Sequence, residues 1–396
     1  MSNIGKPFES KLPRPKHAII SRPCEKCELV MAHVRLDKIS KKFGSHTALN
    51  NLDLDIADGQ FFVLLGPTGA GKTTTLRLIA GLDAPNSGGI SIAEQDVSGW
   101  SAAERDVALV FQYYSLYPHY TVRQNLEFPL KSKVRRMSQQ AIDQRIAKAA
   151  KTLRIEHLLE RKTDRLSGGE MQRVSIGRAI VREPRVFLMD EPLSNLDAKL
   201  RELLRSELKD LQMKLGATFL YVTHYQVEAM SMGDRIGVLN QGRIVQVGTP
   251  QQIYNQPHDT FVATFVGSPA MNLLRADVSG GRAVVLPGKL ELPVDQAAGG
   301  RAAKLTGPAT LGIRSEDVMV GVNEAVEARV HGVENQGVEK VVTLRVQDCL
   351  IKATVPARLE LSIDSVVRFS FKQEKLHFFE PGSGNNLYHG EEKRNG

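Results

Sequence analysis

The chain has 396 residues, which is too long for one ordinary hydrophobic core and predicts two or more domains. Hydrophobic residues make up 42% and charged residues 24%, a globular composition, and no apolar run approaches the roughly 18 residues needed to span a bilayer. A membrane role is therefore expected to be peripheral. The net charge of +8 fits nucleic acid or an anionic membrane surface as a partner, but a scattered surplus of Lys and Arg is the favoured explanation.

Residues 1–30 differ in texture from the rest of the chain. They carry several prolines, scattered charge and no hydrophobic periodicity, which predicts a disordered N-terminal extension. No apolar segment follows the basic residues, so a signal peptide is not expected. Cys24 and Cys27 form a lone CxxC without a second pair, and two unrelated thiols are favoured over a metal site. With Cys349 they are too few for a disulfide framework, which favours a reducing compartment.

Strand-like and helix-like patterns alternate between residue 31 and about residue 268, which predicts an α/β architecture with a mostly parallel sheet. Apolar residues first alternate with polar ones around Val34–Leu36 and Leu52–Ile56, as in half-buried strands. The other predicted elements are a buried strand over Phe61–Leu65, a helix over Thr73–Leu82, helices over residues 137–160, and strands over Val186–Met189 and Thr218–Val222.

The pattern changes after about Gly267. Three segments alternate apolar with polar residues, glycines and polar turns separate them, and no long amphipathic helix intervenes. The alternating residues are Val326, Ala328 and Val330, then Val342, Leu344 and Val346, then Val367, Phe369 and Phe371. Residues 269–396 are therefore predicted to form a small all-β domain, a sandwich or a barrel, ending in a flexible tail.

A phosphate-binding loop is predicted at residues 66–73, whose sequence fits GxxxxGK[ST] between a buried strand and a helix. Glycines let successive N–H groups turn toward phosphates, and the start of the helix adds free N–H groups and partial positive charge. Lys72 is expected to reach the β- and γ-phosphates, and Thr73 to ligate Mg²⁺. The expected nucleotide-binding residues of this segment are Gly66, Pro67, Thr68, Gly69, Ala70, Gly71, Lys72, Thr73 and Thr74.

A second anchor is the apolar run that ends in Asp190 and Glu191. A buried strand of this kind would place the Asp190 carboxylate near Mg²⁺. Glu191 would then be able to polarise the attacking water as a general base. Such runs are common in α/β folds, and it is the preceding phosphate loop that makes this one informative.

The segment Leu166, Ser167, Gly168, Gly169 and Glu170 has no role in a generic phosphate-loop enzyme. It resembles the LSGGQ signature of ABC ATPases, and it precedes the acidic pair as in that family. A serine and two glycines before a helix, predicted over Met171–Val181, would form a second anion-binding helix start. A common Ser-Gly-Gly helix cap is the alternative.

Further motifs of that family follow in order, and their roles are implied by the resemblance. Gln112 matches the glutamine that senses Mg²⁺ and the membrane partner. The segment from Ser194 to Asp197 matches the D-loop. His224 matches the switch histidine that contacts the γ-phosphate, and Phe43 the aromatic that stacks on adenine. The resemblance thus implies catalytic roles for Lys72, Glu191 and His224, and Mg²⁺ contacts from Thr73, Gln112 and, through water, Asp190.

The resemblance covers residues 31 to about 380, and translation from Met31 is one hypothesis it suggests. Residues 190–201, 115–122, 267–273 and 311–317 look like the maltose and glycerol-phosphate importer ATPases, whose fold adds a helical subdomain and a C-terminal OB-like regulatory domain. Three residues depart from the family pattern: Glu170 replaces the usual glutamine, Tyr225 replaces a common acid, and Tyr113 stands where a small residue is frequent.

The resemblance implies an ATP- and Mg²⁺-dependent motor of an importer for a sugar, polyol or glycerol-phosphate-like solute. It implies a second ATPase subunit, identical or paralogous, with each ATP held between the loop of one subunit and the signature of the other. Two membrane permeases and, through them, an extracytoplasmic solute-binding protein complete the expected assembly, at the cytoplasmic face of a bacterial inner membrane.

Three alternatives remain at this point. Another importer branch, for polyamines, iron or inorganic anions, also has ATPases with C-terminal β domains. An ABC-type ATPase acting on nucleic acid would need coiled-coil insertions or tandem nucleotide domains, so no nucleic-acid partner is expected. A regulatory protein that binds ATP without turnover is disfavoured because Lys72, Asp190, Glu191 and His224 are all present.

Overall fold

The computed structural model describes residues 32–132, 137–286, 290–322 and 326–388. The predictions made for residues 1–30, including Cys24 and Cys27, and for a tail beyond residue 388 lie outside the described residues. Among the helices that are described, none is both long enough and apolar enough to cross a bilayer.

The first part of the chain alternates strands and helices, as the sequence predicts. Its strands are β1 (Val34–Phe43), β2 (His46–Ile56), β3 (Phe61–Leu65), β4 (Ser87–Ile92), β5 (Gln95–Asp96), β6 (Val107–Val110), β7 (Val186–Asp190), β8 (Thr218–Thr223), β9 (Arg235–Asn240) and β10 (Arg243–Gly248). Its helices are α1 (Lys72–Ala80), α2 (Val122–Glu127), α3 (Gln139–Leu153), α4 (Gly168–Ile180), α5 (Ala198–Leu215), α6 (Gln226–Met232), α7 (Pro250–Asn255) and α8 (Thr260–Phe265).

The central sheet has the strand order β10-β9-β3-β8-β7-β6, and it is parallel except where β10 pairs with β9. All five residues of β3 are buried because this strand has strands on both edges and cores on both faces. A second, antiparallel sheet with the order β2-β1-β4-β5 covers one face. The carboxyl ends of β3, β7 and β8 therefore meet at one edge, where α/β proteins bind ligands.

Several element boundaries differ from the sequence prediction. The helices predicted over residues 137–160 are α3, which ends at Leu153 where Arg154 adopts a left-handed backbone conformation, and a 3₁₀ turn at Glu156–Leu158. Helix α1 ends at Ala80, two residues earlier than predicted, where Gly81 has φ of 73°. Helix α4 begins at Gly168 rather than Met171, so the glycines of the signature-like segment belong to the helix itself.

The second part of the chain is all-β, as predicted. Its strands are β11 (Asn272–Ser279), β12 (Arg282–Val285), β13 (Leu290–Pro293), β14 (Gly307–Ile313), β15 (Val318–Val320), β16 (Val326–Asn335), β17 (Glu339–Val346), β18 (Cys349–Pro356), β19 (Val366–Phe371) and β20 (His377–Phe379). They form two five-stranded sheets with the orders β13-β12-β11-β14-β20 and β15-β19-β16-β17-β18. Both sheets contribute to one hydrophobic core.

The two parts of the chain are joined through the buried Arg314. Its guanidinium donates hydrogen bonds to the carbonyl oxygens of Tyr254 and Val266, and it lies 3.6 Å from the centroid of the Tyr254 ring. Gln226, at the start of α6, is also hydrogen-bonded to the backbone of Gly267. A buried cation bonded to fixed carbonyl oxygens holds the all-β part against α7 and α8.

The stability of the all-β part is predicted to depend on pH through His377. Burial, with nearby Arg314 and Lys375, lowers the pKa of His377 to about 4 from its ordinary value of 6.5. The unfolded chain binds a proton there below pH 6.5, whereas the folded chain does so only near pH 4. The unfolding free energy should therefore decrease as pH falls through this window, by up to about 3 kcal/mol. Calorimetry should show His377→Phe losing part of this pH dependence.

The exposed His119 provides a matched control, because His119→Phe makes the same substitution at an exposed position. The same melting-temperature profile for wild type and His377→Phe between pH 6.5 and 4 would contradict the prediction.

Candidate functional site

The loop between β3 and α1 forms a narrow backbone cradle. Gly69 and Gly71 have φ of 81° and 108°, which side chains rarely adopt. A Cβ added to Gly66 would lie 2.3 Å from the carbonyl oxygen of Leu239, and one added to Gly71 would lie 2.7 Å from that of Ala48. These two positions exclude any side chain, so the loop can turn its N–H groups toward a bound anion in front of α1.

Lys72 and Asp190 lie at the base of this cradle. The Lys72 ammonium donates hydrogen bonds to the carbonyl oxygens of Gly66 and Pro67, at 2.9 and 3.0 Å. Burial lowers the pKa of Lys72, although Glu191 opposes this shift. Burial also raises the pKa of Asp190, and the Thr73 hydroxyl opposes that shift by donating a 3.0 Å hydrogen bond to the Asp190 carboxylate. The phosphate-binding loop and the Asp190 carboxylate are thus already in contact, although Thr73 and Asp190 are 117 residues apart in the sequence.

Glu191 and His224 come together at the ends of the neighbouring strands β7 and β8. The Nδ1 atom of His224 lies 2.9 Å from Glu191 Oε2, and the Lys72 ammonium lies 3.6 Å from Glu191 Oε1. Glu191 has a left-handed backbone with φ of 44°, and its N–H donates to the carbonyl oxygen of Val222. A carboxylate held between a cation and an imidazole can accept a proton from a bound water.

Gln112 is attached to the loop that follows Glu191. Its side-chain amide donates to the Ser194 hydroxyl at 3.2 Å, and that hydroxyl donates to the carbonyl oxygen of Glu191 at 2.9 Å. Asn195 donates in turn to the carbonyl oxygen of Gln112 at 2.9 Å. Asp197 accepts from the N–H of Leu200 and caps α5.

The signature-like segment forms the capped start of α4. The Ser167 hydroxyl accepts from the Glu170 N–H, and the Glu170 carboxylate accepts from the Ser167 N–H at 2.8 Å and from the Ser167 hydroxyl at 2.9 Å. This is a capping box, and the Ser167 N–H holds the pKa of Glu170 below its ordinary value. A Cβ on Gly169 would lie 2.8 Å from the Cδ2 atom of Leu200, so a side chain there would require Leu200 to shift.

The first candidate residue along the chain, Phe43, lies at the end of β1. Its side chain is 47% exposed, and the Lys41 ammonium lies 4.9 Å from its ring centroid. An exposed aromatic ring can stack on a nucleotide base.

Two residues of this region were missed by the sequence reasoning as participants. Arg201 donates hydrogen bonds to three carbonyl oxygens of the loop after Glu191. Tyr225 was noted only as a departure from the family pattern, yet its ring contacts both His224 and Arg201. For Arg201, the only sequence signal was a cation within an apolar helix pattern. A solvent-exposed arginine would give the same signal.

The fold and site define a phosphate-loop nucleotide-binding protein with a C-terminal β domain. Comparison with protein families matches residues 49–194 to "ABC transporter", residues 267–318 to "MalK OB fold domain" and residues 311–379 to "TOBE domain". This chain belongs to the family of ABC transporter ATP-binding proteins, and its ATPase domain binds ATP.

Two curated relatives illustrate the similarity. The "sn-glycerol-3-phosphate import ATP-binding protein UgpC" of Brucella abortus (strain 2308) is 47% identical over 362 residues, which are 88% of this chain and 97% of that protein. The "Trehalose/maltose import ATP-binding protein MalK" of Thermococcus litoralis is 45% identical over 380 residues, which are 90% of this chain and 100% of that protein. The similarity therefore includes the C-terminal part.

Solved structures resemble the first part of the chain. The cbiO1 protein of Clostridium perfringens, described as part of the ABC transporter complex cbiONQ, has a TM-score of 0.52 at 26% identity, covering 56% of this chain and 89% of that chain. The ADP conformation of MJ1267, "an ATP-binding cassette of an ABC transporter", has a TM-score of 0.52 at 26% identity, covering 57% of this chain and 96% of that chain.

Proposed function

We propose that this protein is the ATP-hydrolysing motor subunit of an importer for a sugar, polyol or glycerol-phosphate-like solute. The observation that carries the proposal is full-length similarity to import ATP-binding proteins for glycerol 3-phosphate and for trehalose and maltose. Lys72, Asp190, Glu191 and His224 lie together in this chain, which favours turnover over passive nucleotide binding. In the proposed division, residues 31–268 are the ATPase domain and residues 269–396 the regulatory domain.

The residues at the cradle fit an Mg²⁺ ion. The Thr73 hydroxyl and the Asp190 carboxylate already lie 3.0 Å apart, and both are oxygen donors of the kind Mg²⁺ prefers. We infer that Thr73 and Gln112 hold the ion and that Asp190 holds it through water. When bound, the ion would neutralise charge that develops on the phosphates.

In the proposed mechanism the chain's own residues position ATP and deprotonate water. Phe43 stacks on the base, the loop N–H groups and Lys72 hold the phosphates, and His224 contacts the γ-phosphate. Glu191 accepts the proton of the attacking water. Signature residues 166–170 approach the phosphates of an ATP held by a second subunit, while Asp197 lies on the loop between the two sites. Loss of the γ-phosphate would remove charge-assisted hydrogen bonds between the subunits.

We propose that two permeases dock beside Gln112. Exposed aromatic residues there include Tyr113, which is 73% exposed, and Phe111, which is 41% exposed. Phe111 borders a small cleft of about 130 Å³ that is also lined by Tyr114 and Arg178. The assembly would lie at the cytoplasmic face of a bacterial inner membrane, with a solute-binding protein on the far side.

The function is tested by uptake in cells that lack the chromosomal copy of this gene. Wild type should restore uptake of labelled glycerol 3-phosphate or maltose. Lys72→Ala should not restore it, because alanine lacks the buried ammonium that reaches the phosphates. Lys214→Ala, at an exposed position near the end of α5, is the matched control. Restored uptake of a polyamine, iron or an inorganic anion instead would assign the other importer branch.

Glu170 is predicted to weaken ATP-driven association of the subunits. Its ionised carboxylate accepts the hydrogen bond of the Ser167 hydroxyl, which is then not available to a phosphate. The same negative charge would repel the phosphate that the start of α4 approaches. Glutamine can keep the capping box, as Gln124 does for Thr121 in α2. Glu170→Gln should therefore lower the concentration of a non-hydrolysable ATP analogue needed for half-maximal dimerisation roughly two- to fivefold, the effect of one partly exposed charge.

Light scattering across an analogue titration measures this effect. Glu202→Gln, an exposed change on α5, controls for net charge. Weaker or unchanged dimerisation of Glu170→Gln, with wild-type melting temperature, would contradict the prediction.

A further inference from the structure

The side chain of Tyr225 connects the switch-type histidine with the loop that follows Glu191. Its ring centroid lies 4.1 Å from that of His224, with 36° between the ring planes. The guanidinium carbon of Arg201 lies 4.5 Å from the same Tyr225 centroid. One aromatic ring thus contacts an imidazole at the nucleotide site and a cation on α5.

Arg201 in turn organises the loop at residues 193–197. It donates hydrogen bonds to the carbonyl oxygens of Leu193, Ser194 and Leu196, at 3.2, 3.2 and 2.9 Å. Because a guanidinium presents its donors in a rigid plane, three such bonds tie its position to that of the loop. A shift of the loop would therefore move the cation on which Tyr225 rests.

His224 has few constraints of its own. Its side chain is 36% exposed, and besides the Tyr225 ring it is held by the Nδ1 contact with Glu191 at 2.9 Å. That contact fixes one ring atom but leaves the tilt of the ring to the neighbouring side chain. A carboxylate at position 225, as is common in the family, could attract Arg201 but would offer no ring to His224.

We propose that Tyr225 is a positioning residue that couples the orientation of the His224 ring to the loop at residues 193–197. The proposal rests on the proposed function, in which this loop lies between the two ATP sites. Arrival of the second subunit at the loop is then transmitted through Arg201 and Tyr225 to the group that contacts the γ-phosphate. The coupling is expected to act on the chemical step and not on the phosphate cradle.

The contacts that carry the coupling use the ring of Tyr225, so its hydroxyl should be dispensable. Steady-state ATPase assays on the full chain should show Tyr225→Phe within about twofold of wild type in kcat. Tyr225→Ala should lower kcat roughly five- to thirtyfold with KM changed less than about twofold, the loss expected for a cation–π contact and one ring contact. Tyr225→Leu, which keeps apolar volume, replaces Tyr225→Ala if the latter fails to fold.

A double-mutant cycle separates coupling from local packing. If Tyr225 acts through Arg201, Tyr225→Ala should cost little more in an Arg201→Ala background, so the effects on kcat should be strongly non-additive. Tyr388→Ala is the matched control, because it removes a tyrosine that lies 5.0 Å from Arg301 in the all-β part. It should leave basal kcat unchanged.

The outcomes distinguish this proposal from the function on which it rests. Wild type without ATPase activity would overturn both. Active wild type with Tyr225→Ala unimpaired, Tyr225→Phe as impaired as Tyr225→Ala, or additive effects of Tyr225→Ala and Arg201→Ala would overturn the positioning role and leave the motor function standing.

Discussion

Replacing Glu191 with glutamine is expected to lower ATP turnover roughly 10²-fold or more while ATP binding is retained. Glutamine has the same shape, so it can keep the contact with His224 Nδ1, but its amide cannot accept the proton of the attacking water. The variant retains the Lys72 ammonium, 3.6 Å from Glu191 in the structure, which is expected to hold phosphate. The variant should therefore accumulate as an ATP-bound dimer. Phosphate release and size-exclusion chromatography with ATP measure the two effects.

The control for this substitution is Glu202→Gln, which makes the same chemical change at an exposed position of α5. It should hydrolyse ATP at the wild-type rate. Near-normal turnover of purified Glu191→Gln would remove Glu191 from the role of general base. Loss of ATP binding would instead show that its charge is needed to orient Lys72.

Mixing two inactive variants is expected to restore ATP-dependent association, because each proposed ATP site is shared between subunits. Lys72→Ala disables the phosphate loop and leaves the signature-like segment intact. Ser167→Arg does the reverse, since a bulky cation then stands where a small hydroxyl must approach the phosphate. Each variant alone has two disabled sites per dimer. In the mixed dimer, the loop of the Ser167→Arg chain meets the Ser167 of the other chain, and one complete site returns.

Differently tagged variants, mixed with ATP and captured through one tag, provide the measurement. Turnover can stay low because the two sites cooperate, so association is the primary readout. Ser167 also caps α4, and losing a cap costs about 1 kcal/mol. Thr249→Ala, which removes the equivalent capping side chain of α7, controls for that loss. No recovery on mixing, while wild-type chains associate, would refute shared sites in a homodimer; wild-type chains that do not associate would indicate a paralogous partner.

The sequence alone was sufficient wherever neighbouring residues supply the interaction. The apolar run Phe61–Leu65 predicted a strand buried on both faces, and the glycines up to Lys72 predicted a tight turn before a helix. Alternating apolar residues after Gly267 predicted the all-β part. In each case the signal is the periodicity of one element or the residue spacing of one turn, so it can be recognised without knowing the fold.

Only the tertiary structure decided which side chains meet. Glu191 and His224 are 33 residues apart and come within 2.9 Å because β7 and β8 are neighbours in the sheet, an order that the sequence pattern does not specify. The contact of Tyr225 with Arg201 depends on how α5 packs beside the end of β8. Periodicity reports which face of an element is apolar, whereas the pairing of polar side chains depends on strand order and helix packing, which arise from the whole core at once.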